Sequence, residues 1–226
     1  MRTTKFIAAF RVIIFLLCLC RAFIAFGQSK AIPVPYNGIT DLFKTMNLAF
    51  NRPAGFEDIP DQECFNSKPK LERIITCTSR QLYSKNRQFI AFITMYPPFR
   101  ETDSVFLSRI SAPGVFKGLD WKHEANIKYN IIYAMGKEAG KNWRKYIDYY
   151  PTREAHRKFN ADSAFFYSLK LEPEDYYQDK YNHLEVLCLA KKRRGVVFFY
   201  CFYTDEGKKK FNKYWKAVER TIRFLD

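Results

Sequence analysis

Apolar residues along this chain gather in short runs whose spacing names the elements they build. Phe89-Ile90-Ala91-Phe92-Ile93 is apolar at consecutive positions, and Val196 to Tyr203 has no polar face at all. A strand of that kind must be covered on both sides. Leu71 to Leu82 and Gln88 to Tyr96 read as two strands joined by the polar turn Ser84-Lys85-Asn86-Arg87. Ser163 to Leu171 reads as another. Tyr181 to Lys191 and Val196 to Tyr203 form a hairpin around Lys192-Arg193-Arg194-Gly195, with Gly195 supplying positive φ. Phe50 to Phe65, broken by Pro53, Gly55 and Pro60, reads as strand fragments and turns.

Helical spacing appears between and after these runs. Asp41 to Ala49, Asp103 to Arg109, Trp121 to Gly140 and Pro151 to Lys158 are the candidates, the last with Pro in its favoured first turn. Thr204 or Asp205 caps a closing helix along which Phe211, Tyr214, Trp215, Val218, Ile222 and Leu225 form one apolar stripe. The expected fold class is α+β: an antiparallel sheet with helices on both faces, a three-layer α/β/α sandwich ending in a hairpin and a long amphipathic helix. Residues 41–226 are expected to form a single α/β domain, preceded by a flexible lead-in over 28–40.

The first 27 residues follow another pattern. Met1 to Lys5 is basic, and Val12 to Cys20 is a nine-residue apolar run, well short of the roughly 20 residues a spanning helix needs. Ala25-Phe26-Gly27 then offers small residues where a signal peptidase reads. Residues 1–27 are therefore expected to be a signal peptide, cleaved before Gln28, with the product periplasmic or extracellular and without a membrane span. Arg21 interrupts the apolar stretch, and an uncleaved single membrane anchor is the competing reading.

Export makes the cysteines interesting. Cys64, Cys77, Cys188 and Cys201 lie beyond the signal, and four cysteines allow three pairings. If Arg194 and Gly195 are the two loop residues of the hairpin, Arg193 faces Val196 and Cys188 stands opposite Cys201, a candidate disulfide. A loop of another length would separate them, and an odd shift would put them on opposite faces.

Composition adds charge to this picture. At 47% hydrophobic and 27% charged the chain is not disordered, and 38 basic against 23 acidic residues leave it at +15. Two cationic blocks stand out as a candidate anion site: Lys191, Lys192, Arg193 and Arg194 on the hairpin tip, and Lys208, Lys209 and Lys210 at the start of the closing helix. They would meet an anionic envelope component or an acidic protein, or else merely solubilise an apolar hairpin and guard its edges. The aromatics sit where the core needs them, which with export argues against nucleic acid.

The Gly-Phe turn within Arg52-Pro53-Ala54-Gly55-Phe56, the Phe159-Asn160-Ala161-Asp162 lead into a strand, and the closing hairpin and helix together resemble a group of exported Bacteroidota proteins of unknown function. The same order resembles the PsbP-like (Mog-type) α/β/α sandwich. The likeness runs over residues 48–226 and is best over 150–224, although Ala54 here separates Pro53 from Gly55. It implies an α/β/α fold, export and a role in partner binding or assembly, and it carries no site residues with it.

Catalytic parts are sparse. There is no GxSxG, no HExxH, no CxxC and no Gly-rich phosphate loop, and His123, His156 and His183 lie far apart. No cofactor, metal or catalytic residue is therefore expected. The function expected is a non-enzymatic exported binding or assembly module, and the alternative is an envelope hydrolase using a Cys/His or carboxylate site. His156 or His183 beside a cysteine or carboxylate would favour the second.

Overall fold

In a computed structural model, residues 38–59, 71, 74–75, 78–97 and 124–226 are described, all within the unit Gly38–Asp226. The expected signal peptide, the lead-in up to Asn37, the helix over Asp103 to Arg109, and Cys64, Cys77 and His123 lie outside them. The elements are α1 (Gly38–Thr45), β1 (Leu48–Phe50), β2 (Phe56–Ile59), β3 (Arg80–Ser84), β4 (Phe89–Tyr96), α2 (Glu124–Met135) and α3 (Lys137–Lys141). They continue with β5 (Asp148–Tyr149), α4 (Thr152–Phe159), β6 (Ser163–Lys170), β7 (His183–Lys191), β8 (Gly195–Tyr203), α5 (Asp205–Lys208), α6 (Phe211–Val218) and β9 (Ile222–Phe224).

A seven-stranded sheet in the order β2-β3-β4-β8-β7-β6-β5 dominates, antiparallel at every pairing. β8 lies between β4 and β7, which explains its unbroken apolar run. Val196, Phe198, Tyr200 and Phe202 enter one core. Val197, Phe199, Cys201 and Tyr203 enter the other. The first core is completed by Ile127 and Ile131 of α2, by Trp143 and by Leu71. The second takes Ala155 and Phe159 from α4, Tyr214 and Val218 from α6, and the edge of a small antiparallel sheet made of β1 and β9.

The three-layer α/β/α sandwich is not what forms. The structure is mainly antiparallel β, and among the described residues only α2, at 12 residues, runs past eight. Each sheet face is covered by short helices, loops and strand edges in place of a layer of helices.

The closing helix is where the expectation departs furthest. Thr204 does cap, its Oγ1 accepting from the Gly207 N–H at 3.1 Å. The helix then stops after one turn, because Lys210 leaves helical geometry at φ −115° and ψ 10°. It resumes at Phe211 and ends at Val218, and the chain folds back as β9, with Ile222 and Phe224 buried and Arg223 exposed. Ile222 thus keeps its place inside by strand alternation, while Leu225 stays 44% exposed. Two smaller differences concern the first elements. α1 begins at Gly38, taking the last residues assigned to the lead-in, and Leu48 and Ala49 belong to β1.

The hairpin forms with a different register. Lys191 pairs with Gly195, leaving Lys192, Arg193 and Arg194 as a three-residue loop closed by the Arg194 N–H to the Lys191 carbonyl at 3.0 Å. Arg193 (φ 64°) and Gly195 (φ 112°) take the left-handed conformations. Cys188 then faces Phe198, and Cys201 faces Glu185. The odd shift puts the two thiols in opposite cores, so the expected Cys188–Cys201 disulfide has no geometry to form.

Candidate functional site

Pairing of β1 with β9 brings the early chain against its end. Phe50 faces Ile222, and the Asn51 N–H bonds to the Thr221 carbonyl at 2.7 Å. Residues 51–54 are thereby laid alongside α6. Below them Phe56 packs edge-to-face on Tyr214 (6.1 Å) and Phe89 (6.0 Å), while Phe89 stacks on Tyr214 at 5.0 Å. Such ring pairs fix the spacing of the segments that carry them. Asn86 holds the Tyr214 hydroxyl at 2.8 Å from the far side.

The result is an open groove of about 610 Å³ between residues 51–54 and the outer face of α6. Four cations line it: Arg52 from the loop, and Lys213, Lys216 and Arg220 from the helix side. Lys213 and Lys216 stand at i and i+3 on one face of α6, where like charges repel, and Arg220 follows in the turn just past the helix end. All four are exposed, and no carboxylate shares the lining among the described residues. Lys216, in the last turn, suits the carbonyl end of the helix dipole. That effect accounts for neither Lys213 nor Arg52.

The acids nearest in sequence are engaged elsewhere. Glu57 pairs with Arg87, and Asp58 with Arg80 at 2.8 Å. Glu219, beside Arg220, is turned to the other side of α6, where it accepts from the Tyr150 hydroxyl at 2.7 Å and from Lys158 Nζ at 2.9 Å. Tyr150 in turn accepts from the Trp215 indole N–H at 3.0 Å. Among the described residues the four groove cations are therefore left without an ion pair.

The two cationic blocks singled out from sequence do not form one site. The hairpin tip and Lys208 lie at opposite ends of β8, whose nine residues span roughly 27 Å. The tip is partly structural. Lys191 Nζ donates to the Asn160 carbonyl at 2.9 Å, and the Lys192 N–H donates to Asp162 at 2.8 Å. Asn160, left-handed at the end of α4, also donates to the Phe224 carbonyl at 3.0 Å and to Asp226 at 2.8 Å. Phe159-Asn160-Ala161-Asp162 thus ties α4, the hairpin tip and the carboxyl terminus together. At the other end of β8, Lys209 pairs with Glu206 at 2.7 Å, and Lys208 and Lys210 are exposed.

A second polar cluster lies at that end of the sheet. His183 Nε2 lies 2.9 Å from Asp205, Asn182 donates to the same carboxylate at 3.1 Å, and the His183 ring stacks on Tyr203 at 4.9 Å. The bonds from His183 and then Asn182 hold the Asp205 carboxyl below its usual range. Ser168 donates to Glu185 at 2.7 Å, and Tyr203 reaches the same oxygen at 3.4 Å. Burial outweighs those bonds and pushes the Glu185 carboxyl up. It also pushes the Cys201 thiol well up, with the Glu185 charge adding to it, which keeps the sulfur protonated and unreactive.

Sequence reasoning missed the groove. Its helical half was only partly readable: Lys213 and Lys216 share a face of α6, but Glu219 precedes Arg220 in sequence, and only its bonds to Tyr150 and Lys158 show that it is turned away. Its other half depends on the β1–β9 pairing of three residues each, which leaves no periodic signal. Fold and groove together define a mainly antiparallel β protein with a cationic cleft between residues 51–54 and α6. No family model, curated protein or solved structure matches the chain. Among the described residues no helix is long and apolar enough to cross a membrane, and no group of His, Cys, Asp and Glu is arranged to hold a metal ion.

Proposed function

We propose that this protein is an exported, non-enzymatic binding or assembly module whose anionic partner seats in the groove between residues 51–54 and α6. One observation carries the reading: four exposed cations converge on a concave surface while the neighbouring acids are paired away from it. Convergent charge of one sign in a cleft concentrates counter-ions and raises capture rates. The hydrolase alternative has a carboxylate-held histidine in His183. The described thiols are buried, though, and the Ser168 hydroxyl is spent on Glu185, so among the described residues that cluster shows no nucleophile beside its base.

Titration with inorganic polyphosphate tests the proposal. Reversing two groove cations, Arg52→Glu with Lys216→Glu, should weaken binding by roughly tenfold or more and flatten its salt dependence. Reversing two tip cations, Lys192→Glu with Arg193→Glu, should change affinity by less than about twofold, since neither lines the groove. The opposite ranking would move the site to the hairpin.

A further inference from the structure

Resting on the reading of the groove as an anion site, we infer that its ligand is an acidic saccharide. Lys213 and Lys216 stand about 5–6 Å apart on α6, the spacing of neighbours at i and i+3, and Arg220 lines the same wall just past the helix end. That interval is close to the repeat of sugar units along a glycan, so acid groups on successive units would each meet a cation. Arg52 faces them from the loop, and its guanidinium fork suits a carboxylate or a phosphate equally.

The uncharged lining sets the rest of the ligand's chemistry. Asn51 and Asn212 stand in opposite walls, and each side-chain amide both donates and accepts, which matches hydroxyl and acetamido groups. Single-stranded nucleic acid would need aromatic platforms for its bases, and among the described residues the lining has none. The apolar part consists of Pro53, Ala54 and Ala217, too small and shallow to house an acyl chain.

Calorimetric titration of the full protein with four probes tests this: oligogalacturonate, a phosphorylated oligomannan, inorganic tripolyphosphate and an oligothymidylate. Both saccharides should bind wild type, and Lys216→Glu should weaken both of them and tripolyphosphate. Asn212→Ala should weaken the saccharides about fivefold, the weight of one neutral hydrogen bond, and leave tripolyphosphate within about twofold. An equal effect of Asn212→Ala on saccharide and tripolyphosphate would overturn the saccharide assignment and leave the anion groove standing. So would oligothymidylate binding as tightly as the saccharides. Lys216→Glu without effect on any probe would overturn the groove itself.

Discussion

Glu185 keeps its carboxyl on a sheet face otherwise given to Leu187, Leu189 and Cys201, between the hydroxyls of Ser168 and Tyr203. Burial raises its pKa above the usual glutamate range. As pH rises from the unfolded value of about 4.3, the unfolded chain releases its proton first, so stability falls until the folded carboxyl also ionises. Glu185→Gln keeps an acceptor for Ser168 and removes that loss. The variant should gain on wild type as pH rises above about 4, read as a difference in denaturation midpoint that grows with pH until the folded carboxyl ionises. A difference that shrinks with pH would contradict the buried-carboxylate account. Trp215 shows the converse case, a residue expected in the core that is half-buried. Its indole donates to Tyr150, and its ring meets Phe166 at 5.5 Å and Phe211 at 5.3 Å. Trp215→Ala should cost about 2 kcal/mol, below the about 3–5 kcal/mol of a fully buried ring. Lys209→Ala should cost less than about 0.5 kcal/mol despite its exposed pair with Glu206. Denaturant melts giving equal losses would contradict this packing.

Among the elements, the hairpin was the most legible and its register the least. Any strand as apolar as Val196 to Tyr203 must be covered on both faces, so β8 had to be central. The register turns on whether Arg193 accepts positive φ, and side-chain pattern does not announce that. Gly195 is decisive in the loop that forms. A Cβ there would sit 2.2 Å from the Tyr96 carbonyl oxygen, on a backbone already at φ 112°. Gly55 has φ 82° but open space around it. Gly55→Ala should therefore carry backbone strain alone, about 1 kcal/mol, and Gly195→Ala distinctly more, because β4 must move as well. Equal costs in denaturant melts would show that Tyr96 is not where the structure puts it. Peptide mapping of the oxidised protein should likewise recover no Cys188–Cys201 linkage, and finding one would demand the two-residue loop. The closing stripe misled for a related reason. Ile222 fits a helical spacing from Phe211 and also a strand alternation with Phe224, and only the second places Leu225 outside.

At the scale of the whole chain, local periodicity revealed the central strands, but not how the molecule closes, and it began the strand expected over Leu71 to Leu82 too early: Leu71 and Ile74 are helical and the strand is Arg80–Ser84. The sandwich expectation failed because helical spacing over Trp121 to Gly140 and from Thr204 onward overstated helices that the structure cuts short at Gly136 and Lys210. The groove was illegible for the same kind of reason. It needs Leu48-Ala49-Phe50 to find Ile222-Arg223-Phe224 across almost the full sequence. Once that contact exists, Arg52 converges with Lys213, Lys216 and Arg220, whose charge no ion pair among the described residues neutralises and on which the proposed anion site rests. Backbone amide shift mapping by NMR during a titration with tripolyphosphate tests that claim most directly. Saturable shifts should concentrate at Asn51, Arg52, Ala54 and from Asn212 to Arg220, with Lys191 to Arg194 unmoved. Shifts centred on the hairpin tip, or none that saturate, would contradict it.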